Sequence, residues 1–215
     1  FFEMINMNFL KKAIIFVIVP LLLSFSAKAD IKVVTTIKPL HSLISSVMEG
    51  VGEPSLIIEG TSNPHTFVFK PSHAQMLEEA DIVFWIGEDL EAFMEKPLDS
   101  LAGNATKISF MELSSIEKLK FREENIFDDH DDHGHDDHDG HEDEHEGHDD
   151  HGHHHGEFDA HIWLDPSNAI EMVSEISHEL SEIDPDNAAK YEQNANKAIA
   201  SLNNLINKIS SSIPK

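Results

Sequence analysis

Three histidines stand in stretches that read as folded protein: His41, His65 and His161. Neutral imidazole is a good ligand for Zn²⁺ and related ions, and a site needs several such groups converging from distant parts of the chain. Each of the three sits near a loop at a strand end. Each reads equally as a hydrogen-bonded, partly buried structural histidine. Asp159, two residues before His161, could orient that imidazole as a supporting partner or be a solvated turn residue. His73 and His178 fall inside helical patterns among polar residues and read as surface. A different kind of sequence occupies residues 127–157. There His130, His133, His135, His138, His141, His145, His148, His151, His153, His154 and His155 alternate with Asp, Glu and Gly, 11 of the chain's 16 histidines. Such a composition cannot bury enough apolar surface to fold by itself, so the run is expected to be a disordered loop. Its natural property is weak, multiple metal binding, since each ion must order free chain at roughly 1–2 kcal/mol per residue. A solvated acidic tract and a tag-like appendage are the alternatives, and the interleaved Asp and Glu argue against the tag.

The elements that must position these groups follow from hydrophobic pattern. Ile31–Thr36 is β-branched and reads as a first strand, and Ser55–Ile58 as a second. Ile82–Ile86 is a continuous apolar run suited to a strand buried on both faces, and Lys107–Phe110 reads as a fourth. Between them the spacing predicts helices at His41–Glu49, at Ser72–Ala80 with Ser72 and Gln75 as a reciprocal cap, and around Leu90, Phe93 and Met94. The alternation of strand and helix predicts an α/β fold with a parallel sheet and right-handed crossovers. In such a sheet, loops at the carboxyl ends of the strands converge on one crevice. After the His-rich run comes Ile162-Trp163-Leu164, a short apolar stretch whose Trp163 and Leu164 are expected to anchor His161. Asp165-Pro166 then starts an amphipathic helix carrying Ile170, Val173, Ile176, Leu180 and Ile183. Asp184-Pro185 repeats the start signal for a last helix of roughly 25 residues, about 40 Å long.

Charge and composition exclude several classes. The chain of 215 residues carries 40 acids against 15 bases and no cysteine. Residues 127–155 hold 13 of those acids and none of the bases, so much of the acidity is local to one run. With no basic patch to displace counterions, nucleic acid is excluded as a partner. Lys11 and Lys12, the apolar stretch Ala13–Phe25 and Ala27-Lys28-Ala29 read as a cleavable export signal; residues 1–29 are upstream residues plus that leader. The apolar stretch, interrupted by Pro20, is shorter than the ~20 residues that span a bilayer. No cysteine follows to take a lipid anchor, so the expectation is a monomer free in the periplasm of a two-membrane bacterium. No zinc-protease, nucleophile-elbow or phosphate-loop motif is present, and the chain reads as a non-enzyme.

At Thr36-Ile37-Lys38-Pro39-Leu40-His41, Gly60-Thr61-Ser62-Asn63-Pro64-His65-Thr66-Phe67, Ala80-Asp81-Ile82-Val83-Phe84-Trp85-Ile86-Gly87 and Asp159-Ala160-His161-Ile162-Trp163-Leu164-Asp165-Pro166 the chain resembles a known family. It is similar to the periplasmic zinc-binding proteins of bacterial ABC uptake systems, the high-affinity zinc subgroup of the metal solute-binding family. The resemblance implies two α/β lobes joined by a long helix, with zinc in the cleft and delivery to a membrane permease. Residues 30–183 would be the N-terminal lobe and 184–215 the joining helix, cut short. It implies His65 and His161 as first-lobe ligands, with a third histidine and often an acidic group from a second lobe. Pro64 stands where some relatives carry a glutamate ligand, and His41 is left as an additional ligand or supporting partner. Manganese is the less favoured cargo, because hard Mn²⁺ gains less from imidazole. A metal-dependent adhesin and a zinc hydrolase are the other readings. Deleting Asp128–His155 is expected to lower the number of zinc ions bound while leaving the tightest site intact, as chelator competition on the full two-lobe protein would show.

Overall fold

Ile82-Val83-Phe84-Trp85 carries no polar side chain toward either face, and it forms the buried central strand β3 (Ile82–Trp85). The computed structural model describes residues 30–121 and 157–213. The expected leader and the histidines from His130 to His155 lie outside the described residues. Strand β1 (Val33–Thr35) lies parallel to β3, with Val33 opposite Ile82 and Thr35 opposite Phe84. β2 (Ser55–Leu56) pairs on the other edge of β1, and β4 (Thr106–Ser109) on the outer edge of β3. The four strands run in the order β2-β1-β3-β4, all parallel, as the alternating pattern predicts. β2 is shorter than expected, yet its pairing continues: Ile57 and Ile58 donate to the carbonyls of Thr35 and Thr36 at 2.9 Å.

The helices cover this sheet with the faces the spacing predicts. Helix α1 (Lys38–Val47) starts earlier than expected because Pro39 is pre-set for a first turn, and it buries Leu40, Ile44 and Val47. α2 (Pro71–Glu78) departs from the sequence reading. The box between Ser72 and Gln75 does not form, because Pro71 takes the first helical position and Gln75 donates to Glu79 Oε1 instead. The backbone N–H of Lys70 donates to His73 Nδ1 at 3.1 Å. His73, expected on the surface, is buried between the rings of Phe67 and Phe69, at 5.2 and 5.4 Å. Burial, then the charge of Lys70, holds its pKa below the ordinary imidazole value. His178 is exposed.

Helices α3 (Glu88–Glu91) and α4 (Glu95–Ser100) follow β3, and Leu90, Met94 and Leu98 fill the core from that side. α5 (Pro166–Ile183) buries Met172, Val173, Ile176 and Leu180, and packs along α6 (Ala188–Ser212). Asp165 caps α5 as expected, accepting from Ser167 N at 2.7 Å. Asp184 does not repeat that role. Its buried carboxylate takes Tyr191 OH at 2.9 Å and Asn187 Nδ2 at 2.7 Å, and a turn of 3-10 helix (Pro185–Asn187) precedes α6. Asn194 bolts α6 to the end of α1 by donating to the carbonyls of Val47 and Glu49. Beyond Leu202 the apolar stripe of α6 emerges into solvent, with Leu205, Ile209 and Ile213 exposed.

One buried acid holds the turn after β3. Glu91 is fully inaccessible, and its Oε2 accepts from Ile86 N at 2.8 Å and Gly87 N at 3.2 Å. Gly87 takes φ +149°, and a Cβ there would lie 3.0 Å from Met111 Cβ, so the turn admits no side chain. Burial raises the pKa of Glu91 from near 4.5 to about 7, opposed by the Thr36 hydroxyl and the two N–H groups. Between those values the folded chain holds a proton that the unfolded chain has lost, so stability falls as pH rises from about 4.5 to about 7 and is flat above. Denaturant unfolding across pH 4.5–8 should show this decline, on the order of 3 kcal/mol. The Glu91→Gln variant, which keeps an acceptor for the two N–H groups, should remove it.

Candidate metal centre

The loop after β2 delivers His65. Asn63 and Pro64 bend the chain into a 3-10 turn (Pro64–Thr66), with Asn63 Oδ1 accepting from His65 N at 3.0 Å. Lys38, at the start of α1, donates its ammonium to the carbonyl of Gly60 and ties the loop back to the lobe. Behind the turn, Phe67 meets Phe93 with ring centroids 5.0 Å apart and planes tilted by 53°, and α3 packs on the turn itself. The backbone is thus fixed from below while the imidazole stands at the surface.

His161 comes from the segment that returns to the lobe before α5. Asp159 N donates to Leu119 O at 2.8 Å, and an antiparallel bridge joins Lys120 to Phe158. Lys120 also pairs with Glu157. Asp159 Oδ1 accepts twice from His161, from the backbone N–H at 2.9 Å and from Nδ1 at 2.6 Å. A carboxylate only accepts, so Nδ1 carries the proton and Nε2 presents its lone pair outward. The His161 backbone N–H, then the hydrogen bond from its ring, hold the Asp159 carboxyl below its usual range. In the 3-10 turn Ile162–Leu164 that follows, Ile162 is buried and Trp163 is half-buried. The Trp163 ring lies 5.2 Å from that of His161. Leu164, expected as an anchor, is 73% exposed; the inward side of this tight turn is taken by Ile162.

These two turns, 96 residues apart in sequence, bring the rings of His65 and His161 to a centroid separation of 5.8 Å with their planes tilted by 50°. Two imidazoles sharing a tetrahedral zinc ion at ~2.0–2.1 Å would have centroids about 5 Å apart, so a small side-chain rotation closes the gap. Among the described residues, no group of three or more His, Asp or Glu side chains converges as a ligand set. The arrangement offers half of a tetrahedral shell. His41 is not part of it. Its Nε2 donates to Pro54 O at 3.1 Å and its Nδ1 takes the Ser45 hydroxyl at 3.4 Å, and it lines a groove of about 730 Å³ with Glu49, Asn194 and Lys197.

A family model described as the zinc-uptake complex component A, periplasmic, matches residues 33–215. The chain belongs to that family. It is 46% identical over 175 residues to the high-affinity zinc uptake system protein ZnuA of Brucella abortus (strain 2308), covering 76% of this chain and 52% of that protein. The chain spans about half the length of the curated relatives it matches. Among solved structures, Zn(II)-bound AdcA from Streptococcus pneumoniae aligns with a TM-score of 0.60 at 24% identity, over 82% of this chain and 31% of that one. The Mn-bound periplasmic metal binding protein from Candidatus Liberibacter asiaticus aligns with a TM-score of 0.61 at 19% identity, over 84% and 56%. At those identities the two structures share the fold with this family member.

Trp163, expected beside His161, does lie against its ring, whereas Leu164 does not. Sequence reasoning missed Asn168, whose side chain is buried beneath the His161 turn. The cue at Asp159 was its i, i+2 spacing, which suits an acid accepting from a neighbouring backbone N–H. Replacing Asp159 with Ala frees the ring to take either tautomer and should weaken zinc binding at the ordered site by about 10–100-fold, measured by chelator competition.

Proposed function

We propose that this chain carries the first half of a zinc receptor, capturing Zn²⁺ in the periplasm for delivery to the permease of an ABC transporter. The observation that carries this reading is the pair of imidazoles, His65 and His161, at 5.8 Å, with the proton of His161 fixed on Nδ1 by Asp159. Neutral imidazoles suit zinc better than manganese, which favours carboxylate and water oxygens. A two-imidazole half-shell leaves the remaining positions to groups elsewhere in the full protein or to water. Such a divided site holds its ion tightly when complete and releases it when the parts separate, which suits cargo better than a resident cofactor. Among the described residues, Asp159 is the carboxylate that contacts the pair, and it is engaged by His161 as an orienting acceptor, which favours a receptor over a hydrolase.

The His-rich run fits the same reading as a collector. The described segments that flank it meet at the bridge between Lys120 and Phe158, and Phe158 lies three residues before His161. Tethering at both ends presents those 11 histidines to the ordered pair at a local concentration set by the tether rather than by the solution. No helix among the described residues is long and apolar enough to cross a membrane, and the reading of residues 1–29 as an export leader supports a periplasmic location for the mature receptor.

Single substitutions in the full two-lobe protein test this. His161→Ala and His65→Ala should each cost several kcal/mol of zinc affinity, about 100-fold or more. His41→Ala, whose ring serves Pro54 and Ser45, should stay within about tenfold. Chelator competition with zinc and with manganese reads both the affinity and the preference. Unchanged zinc affinity in the His161 variant would remove the reading, and tighter manganese than zinc binding would reassign the cargo.

A further inference from the structure

Asn168 sits in the first turn of α5 and is 4% exposed. Its side-chain amide does what a neighbouring strand would do for one residue of a strap that has no strand partner there. Oδ1 accepts from Glu117 N at 2.9 Å, and Nδ2 donates to Glu117 O at 2.9 Å. The second hydrogen of Nδ2 goes to Ile162 O at 3.2 Å. Three polar groups of a primary amide are thus matched to three backbone groups in two segments.

Those segments are the ones on which His161 depends. Glu117 lies in the strap that continues to Leu119 and Lys120, whose backbone takes Asp159 and Phe158. Ile162 is the residue after His161 and opens its 3-10 turn. Asp159 fixes the ring of His161 from one side, and nothing in that contact fixes the turn relative to α5. Asn168 supplies that fixation. Strap and turn both line a small cavity of about 300 Å³, with Glu117 and Leu119 on one part of its wall, His161 and Ile162 on another, and Asn168 between them in the lining.

We propose that Asn168 is a positioning residue for the metal site, setting the height of the His161 imidazole over the lobe by clamping its turn to the strap at Glu117. This rests on the reading of His161 as a zinc ligand. Only glutamine carries the same set of one acceptor and two donors, and it holds them one methylene farther from the backbone. Asp keeps the acceptor for Glu117 N but sets a carboxylate against two carbonyls. Leu and Ala leave three backbone groups unpaired.

Asn194 provides the control. It is an equally buried asparagine that donates to two backbone carbonyls, but it joins α6 to α1 away from the paired rings. In the full-length protein, Asn168→Ala and Asn194→Ala should both lower the melting temperature. Only Asn168→Ala should weaken the tightest zinc site, by about tenfold or more, with the number of weak sites unchanged. Asn168→Ser, which retains a hydroxyl for one of the three partners, should fall between, and it serves where the alanine variant does not fold. Equal loss of zinc affinity in the Asn168 and Asn194 variants would reduce Asn168 to a stability residue and overturn the proposal. So would full zinc affinity in a folded Asn168 variant. His161→Ala, run alongside, separates the two failures: if it binds zinc normally the ligand assignment is wrong, and if it does not, only the role of Asn168 is lost.

Discussion

The parallel pairing of β1 with β3 is the constraint from which the rest of the lobe follows. Both strands are buried on both faces, so neither has a solvent side to which its register could slip without moving apolar side chains into water. Once Val33 faces Ile82, the chain must leave β1 in one direction to build β2 and return on the other side to build β3 and β4. The carboxyl ends of β1 and β3 therefore diverge into a crevice, the general location of ligand sites in open parallel sheets. The paired histidines draw on this arrangement indirectly. His65 is carried by the connection leaving β2, and the turn beneath it is braced by α3, which begins where β3 ends.

Polar groups are buried where the lobe needs alignment between segments remote in sequence. Asn194 joins α6 to α1, Asn168 joins α5 to the strap at Glu117, Asp184 gathers the turn between α5 and α6, and Glu91 closes the turn after β3. Each places donors and acceptors so that desolvation is compensated at specific backbone or side-chain partners, the condition under which a buried polar group is tolerated. Apolar packing alone would hold these layers together with less definite registration. A site made of two side chains from distant loops depends on that registration more than on total stability.

How much of this was legible in the sequence varied with the range of the interaction. The continuous apolar run at Ile82–Ile86 and the alternation of strand with helix led to the parallel sheet, because burial on both faces leaves a direct mark on residue type. Asp165-Pro166 marked the start of α5 because capping and the fixed φ of proline are local properties. The same dipeptide at Asp184-Pro185 also precedes a helical start, but Asp184 does not cap it: Tyr191, seven residues on, takes the carboxylate. His73 looked like a surface residue because its partners, two phenylalanines and the N–H of Lys70, become neighbours only when Pro71 starts the helix. Leu164 looked like an anchor because apolar type was read without the geometry of a 3-10 turn, which has room inward for Ile162 but not for both. The convergence of His65 with His161 spans 96 residues, and residue spacing carries no information at that distance.

The bridge between Lys120 and Phe158 has a consequence for how this protein can change over generations. It joins the two described segments on either side of the His-rich run with backbone hydrogen bonding that belongs to the lobe. Loop-closure cost grows only with the logarithm of length, about 0.6 kcal/mol for each doubling. Duplication or loss of a few His-Asp codons therefore leaves the ordered pair almost untouched while changing how many imidazoles are on offer. On the collector reading proposed above, metal-gathering capacity is a dial that slippage in a repetitive stretch of gene can turn, and the lobe's architecture does not have to be reinvented each time it moves.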